Sequence, residues 1–100
     1  MAASTWVSSS RTDDEALVPP MAGAVCMGFT CREAAATAAA AAFVLRRGRT
    51  PLGVPIAYVN LAADESTRDW YGPNGIACDD GIYIDRESGT TEVAVFVEPP

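Results

Sequence analysis

One hundred residues carry 13 aspartates and glutamates against 7 arginines, with no lysine and no histidine, for a net charge of −6. That length suits one domain, and that charge opposes a nucleic-acid backbone, whose affinity comes from basic side chains. No stretch reaches the roughly 20 apolar residues of a membrane span, and three cysteines, Cys26, Cys31 and Cys78, cannot close a disulfide framework.

Residues 1–15 are small and polar, apart from Trp6 and Val7, and read as a flexible tail ahead of a single domain over 16–100. Pro19 and Pro20 end the tail with a stiff, extended stretch. Residues 21–29 (MAGAVCMGF) are apolar throughout and predict a buried strand. The strongest local signal follows, over 30–48. Thr30 and Glu33 have capping-box spacing, and residues 34–45 are nearly all good helix formers. Arg46 and Arg47 suit the negative end of the helix dipole, and Gly48 suits the stop. A helix there gathers Cys31, Ala34, Ala38, Ala41, Ala42 and Leu45 on one packing face, with Arg32, Glu33, Thr37 and Arg47 opposite. On this reading Ala38→Leu costs more stability than Thr37→Leu.

Pro51, Gly53 and Pro55 make a stiff connection to a strand over 56–61, which is β-branched and aromatic. The polar stretch 63–71 (ADESTRDWY) predicts one or two helical turns, and Gly72-Pro73-Asn74-Gly75 predicts a tight turn. A short strand at 76–78 resumes at 82–84, residues 86–90 form a hairpin turn, and 91–98 return as the last strand. In that strand Val93, Val95 and Val97 share one face, and Ala94 and Phe96 the other. Two apolar faces predict a central strand, or an outer face covered by a partner. The expected fold is α+β, one Ala-rich helix on a mostly antiparallel sheet of about four strands in the order β-α-β-β-β. In element order alone this resembles the half-module of vicinal-oxygen-chelate and bleomycin-binding-type proteins.

Chemistry is sparsely signalled. Without His or Lys, the usual general bases and Schiff-base nucleophiles are missing. Cys31, placed in a first helical turn beside Arg32, is the candidate for an activated thiol, weighed against a small buried core cysteine. Cys26, Cys31 and Cys78 with Asp79 or Asp80 lack the close knuckles of a zinc site. Asp79, Asp80 and Asp85 lack the ligand spacing of a calcium loop. No metal or cofactor is expected.

The richest constellation is aromatic and acidic. Trp70 and Tyr71 lie beside the turn, bounded by Asp64, Glu65 and Asp69 before it and by Asp79 and Asp80 after it, with Phe96 as a further candidate. Trp, Tyr and Arg are the types enriched at binding hot spots; the competing reading has Trp70 plugging the end of the core. The pattern points to a small acidic, non-enzymatic interaction protein, an inhibitor, immunity-type protein or accessory subunit, which binds a protein partner through this surface. The alternative is a small-molecule binding domain, dimeric through its sheet, with Trp70, Tyr71, Tyr83 and Phe96 as stacking walls. A third is a small enzyme using Cys31 or a carboxylate pair. Neither nucleic acid nor membrane is expected as a partner, and a homodimer is compatible with the pattern. The low, odd cysteine count fits a reducing, cytoplasmic setting, and the Ala-, Gly-, Pro- and Arg-rich usage suggests a high-GC genome.

Overall fold

Alternation of buried and less buried side chains, the signature of a strand, is clearest over residues 82–86 and 91–98. The computed structural model describes residues 4–98, the side chains of residues 10 and 11 excepted. Its nine strands are β1 (Ser4–Arg11), β2 (Glu15–Val18), β3 (Val25–Glu33), β4 (Ala41–Arg47), β5 (Pro55–Leu61), β6 (Ser66–Trp70), β7 (Ile76–Ala77), β8 (Ile82–Ser88) and β9 (Thr91–Glu98). They form two antiparallel sheets, one ordered β1-β9-β3-β6 with β7 also on β3, the other ordered β2-β8-β4-β5. Among the described residues there is no helix, and so none long and apolar enough to cross a membrane.

The pairings nest: β1 with β9, β2 with β8, β3 with β6, β4 with β5. The chain is thus one long antiparallel ribbon whose tip is the 48–54 hairpin. Wrapped on itself, the ribbon closes through β3 on β9 and β4 on β8. This is jelly-roll winding, with β7 added. Between the sheets Phe29, Phe43, Leu45, Ile82, Ile84, Val93, Val95 and Val97 make one core. β9 is central, between β1 and β3.

The α+β expectation, with its Ala-rich helix and its β-α-β-β-β order, is therefore overturned, and the resemblance in element order falls with it. β3 runs on through Thr30, Cys31, Arg32 and Glu33, alternating out and in. Residues 34–40 form an irregular crossing between the sheets, and 41–47 are strand β4. The reason is packing. Phe43 and Leu45, two positions apart, both enter the core between the sheets, which is the period of a strand, whereas helical positions two apart diverge by about 200° and cannot share one face. Each buried apolar side chain contributes about 1.5–3 kcal/mol, against propensity differences below about 0.7 kcal/mol per residue. The seven residues left at 34–40 fall short of the roughly 12–15 that an isolated helix needs. Helical turns at 63–71 are likewise replaced by β6, and the turn expected over 86–90 narrows to two residues because β8 extends to Ser88. Gly89 allows that tight crossing: its φ is 73°, and a Cβ there would press on Ala40 and Ala41. Ser4–Arg11, within the segment read as a tail, pairs with β9 as an edge strand, while residues 1–3 lie outside the described residues.

Two charged side chains inside the fold hold its crossings. Arg86, 6% exposed on β8, donates from Nε to Thr91 Oγ1 (2.9 Å), from Nη1 to the Asp13 carbonyl (3.0 Å), and from Nη2 to Ser8 Oγ (2.7 Å) and the Thr91 carbonyl (3.0 Å). Glu15 stands 4.0 Å from Nη1 and accepts from Ser8 Oγ. Glu33, 5% exposed, accepts from the backbone N–H of Asp64 (2.9 Å) and of Ala35 (2.6 Å), joining the 34–40 crossing to the β5–β6 turn. Glu33 thus captures backbone N–H groups as a capping residue would, at a loop instead of a helix end.

Three measurements check this account. Ala38 and Thr37 are both exposed in the crossing, so Ala38→Leu and Thr37→Leu should each change unfolding free energy by less than about 0.5 kcal/mol, while Phe43→Ala should cost about 3–5 kcal/mol in denaturant titration. Arg86→Met removes the donor to Ser8, Thr91 and the Asp13 carbonyl and the cation beside Glu15, and should cost about 3–5 kcal/mol. The Asp64 and Ala35 N–H groups hold the Glu33 carboxyl below its ordinary value. Its stabilisation is complete above the unfolded carboxyl pKa of about 4.3 and disappears as pH falls through the lower folded value. Glu33→Gln should therefore destabilise the protein near neutral pH and flatten the acid limb of a stability–pH curve; an unchanged acid limb refutes the assignment.

Candidate functional site

Strand register decides which side chains share the outer face of the five-stranded sheet. Gly28 on β3 lies opposite Trp70 on β6 and opposite Phe96 on β9. Thr30 lies between Arg68 and Ala94, and Ala94 is opposite Val7 on β1. In the third row Arg32 lies between Ser66 and Glu92, its Nε 3.1 Å from Glu92 Oε1. Two strand spacings, about 10 Å, separate the backbones of Trp70 and Phe96. Gly28 puts no side chain between them, and a Cβ there would strike the Asp69 carbonyl of β6. The result is an open hollow of about 660 Å³ lined by Phe29, Thr30, Arg68, Asp69, Trp70 and Phe96. Trp70 is 63% exposed and Val7 60%, so the face presents real apolar area to solvent.

Three of the residues expected at a partner surface meet here: Trp70, Asp69 and Phe96. The others are placed elsewhere. Tyr71 turns inward, its ring 6.3 Å from that of Phe29, with its buried hydroxyl unpaired among the described residues. Burial pushes that hydroxyl well above the ordinary tyrosine range. Asp64 and Glu65 occupy the β5–β6 turn, and Glu65 Oε1 accepts from the Ala62 N–H (2.7 Å). Five strand residues, about 17 Å, separate Glu65 from Trp70. Asp79 accepts from the Gly23 N–H (3.1 Å), and Asp80 stands 3.8 Å from Arg47. Tyr83 lies on β8 in the opposite sheet and donates to Asp14 (3.1 Å). The set Trp70, Tyr71, Tyr83 and Phe96 therefore does not form one stacking wall.

Sequence reasoning missed Arg68, Thr30, Val7 and Gly28. For Gly28 and Thr30 the signal was a period of two through 28–33, which places them with Arg32 on one side, but the alanine run that follows obscured it; Val7 and Arg68 join them only through strand pairing. Arg68 has no ion-pair partner among the described residues, so an unpaired cation sits beside the exposed ring.

The thiols offer no nucleophile. Cys31 is on a strand and faces the core, so it lacks the helix N-terminus that would have activated it. Burial pushes Cys26, Cys31 and Cys78 each up to about 11. At neutral pH such groups are protonated and weakly reactive. No group of three or more Cys, Asp or Glu among the described residues is arranged to hold a metal ion. The chain matches no protein-family model, no curated protein and no solved structure.

All three cysteines are free and buried. An aromatic disulfide reagent should accordingly react with none of them rapidly in the native protein and with three per chain after denaturation. Fast native reaction of one thiol would place it outside the core.

Proposed function

We propose that this protein is a non-enzymatic binding module that recognises a protein partner through the outer face of its five-stranded sheet, with Trp70 and Phe96 as anchors. The observation that carries the reading is the exposed Trp70 ring held opposite Phe96 across a position with no side chain. A tryptophan on an edge strand adds little to the core and much to a contact, and such rings dominate binding energy when covered. Arg32, Arg68, Asp69 and Glu92 surround it with both signs of charge, the polar rim of a protein interface. A protein is favoured over a small ligand because the hollow lies open along the sheet and two of the four expected stacking rings point elsewhere. Three core-facing thiols in an odd number favour a reducing compartment, the cytoplasm.

The test is Trp70→Ala. A partner captured from the native host and then purified should bind this variant at least tenfold more weakly, since truncating a buried anchor costs about 2 kcal/mol or more. The melting curve should stay that of the parent. Added salt should mainly slow association, because rim charges are screened beyond a Debye length of about 8 Å. Loss of folding in the variant would make the ring part of the core and end this reading; unchanged binding would move the interface elsewhere.

A further inference from the structure

The backbone of β6 points to how that face takes its partner. β6 pairs with β3 and, among the described residues, with no other strand, and all five of its residues are exposed. The Tyr71 N–H donates to the Met27 carbonyl (3.0 Å), and the Glu33 N–H donates to the Glu65 carbonyl (2.9 Å). In an antiparallel strand these directions alternate, so Glu65, Thr67, Asp69 and Tyr71 turn their main-chain groups to β3. Ser66, Arg68 and Trp70 turn theirs outward, away from the sheet. The outward Trp70 N–H is met by its neighbour's Asp69 Oδ1 (3.0 Å); the main chain of Arg68, mid-strand, faces open space.

Hollows flank this edge on both sides. On the outer side lies the Trp70–Phe96 hollow; on the inner side, between β6 and the edge strand β5, a second of about 260 Å³ is lined by Phe29, Tyr58, Val59, Thr67 and Asp69, among others. A strand sends alternate side chains to opposite faces, so one added strand directs one set into the hollow between β6 and β5 and lays the other against Trp70 and Arg68 on the outer face, where it extends the wall of the Trp70–Phe96 hollow. We propose that β6 is a strand-addition site that captures an extended segment of a partner protein by main-chain pairing, with an apolar side chain opposite Trp70, a basic one opposite Asp69 and an acidic one opposite Arg68. Opposite charges facing each other across a strand pair are favourable, and like charges are not. That rule disfavours a second copy of this chain, because the antiparallel register that pairs all five residues of β6 sets Arg68 against Arg68. The same charge is a device that blunts self-association of an exposed edge. The proposal rests on the reading of the Trp70 face as a binding surface and adds the mode of recognition.

The probe is a blocked peptide, Val-Ile-Arg-Glu-Thr-Val, whose Ile, Arg and Glu fall opposite Trp70, Asp69 and Arg68 in antiparallel register. At saturation it should slow hydrogen exchange of the Arg68 amide by about tenfold or more, since pairing removes that N–H from solvent. Exchanging its Arg and Glu should weaken binding about tenfold, the scale of two favourable cross-strand pairs turned unfavourable. Arg68→Pro deletes the outward donor at a position where an edge strand tolerates proline, and should abolish binding; Arg68→Ala keeps the donor and should retain it more weakly. Methylating the peptide nitrogen of Glu removes the reciprocal donor without touching the protein and should also abolish binding, which covers an Arg68→Pro variant that fails to fold. Equal binding of both charge orders, or peptide binding without protection of Arg68, overturns strand addition. If the host partner needs Trp70 while Arg68→Pro binds it normally, the face reading survives and this one falls; indifference to Trp70→Ala removes the face reading itself. A dimer that protects Arg68 without peptide would assign the edge to a second copy.

Discussion

A guanidinium inside an apolar sandwich is tolerable only when its donors are met, and Arg86 arranges its surroundings to that end. Its partners come from β1, from the β1–β2 link and from the start of β9, and Glu15 of β2 closes the network. These groups meet at the first corner of the ribbon, where the β1–β9 pair gives way to the β2–β8 pair and the chain crosses from one sheet to the other. The tip is closed by the 48–54 hairpin; this corner is held by a fully engaged charge. Such a network specifies one arrangement because partial satisfaction costs more than an apolar substitute would. Asp14 adds to it, accepting from the Arg86 backbone N–H (2.9 Å). The two sheets are thereby locked corner to corner, and the register of β1 on β9 follows.

That register in turn creates the outer face. With Val93, Val95 and Val97 directed inward, Ala94 and Phe96 must point out, and β3 between β9 and β6 must show Gly28, Thr30 and Arg32 on the same side. The nested pairing leaves β6 with a free flank, since its ribbon partner β3 is already shared with β9. An exposed edge is a hazard managed with charge, and Arg68 and Asp69 supply both signs. The same pair can discriminate between segments, because a strand with the wrong charge order meets repulsion at two consecutive positions. In the proposed strand addition, protection from self-pairing and choice of partner would come from one device.

The chemistry of the interior is consistent with this division of labour. Thiols and carboxylates that would draw attention in a sequence are spent on packing or on backbone capture: Cys26, Cys31 and Cys78 fill the core, Glu33 collects N–H groups, and Asp79 and Asp80 steady turns. The groups left to face solvent in one place are an indole, a phenyl ring, a guanidinium and a carboxylate on rigid strands.

Local chemistry was enough to reveal β5, β7, β8 and β9, the 72–75 turn, the central place of β9 and the candidacy of Trp70, Asp69 and Phe96, because alternation and side-chain type act over a few residues. Segment 30–48 was misread because alanine's helix preference is local, while the burial that overrode it depends on β5 and β8 packing beside β4; segment 63–71 was misread because its strand is fully exposed and is defined only by pairing with β3. Arg86 looked like a turn residue until Ser8, 78 positions away, was seen to accept from it. The grouping of Trp70 with Phe96, and the separation of both from Tyr71, Asp64 and Asp79, were set by pairings such as Gly28 with Phe96 and Cys31 with Val93. Sequence by itself determined which side chains were available and where the chain alternates; which of them meet was decided by the wrapped ribbon, because partners more than 60 residues apart become neighbours only when the sheets close.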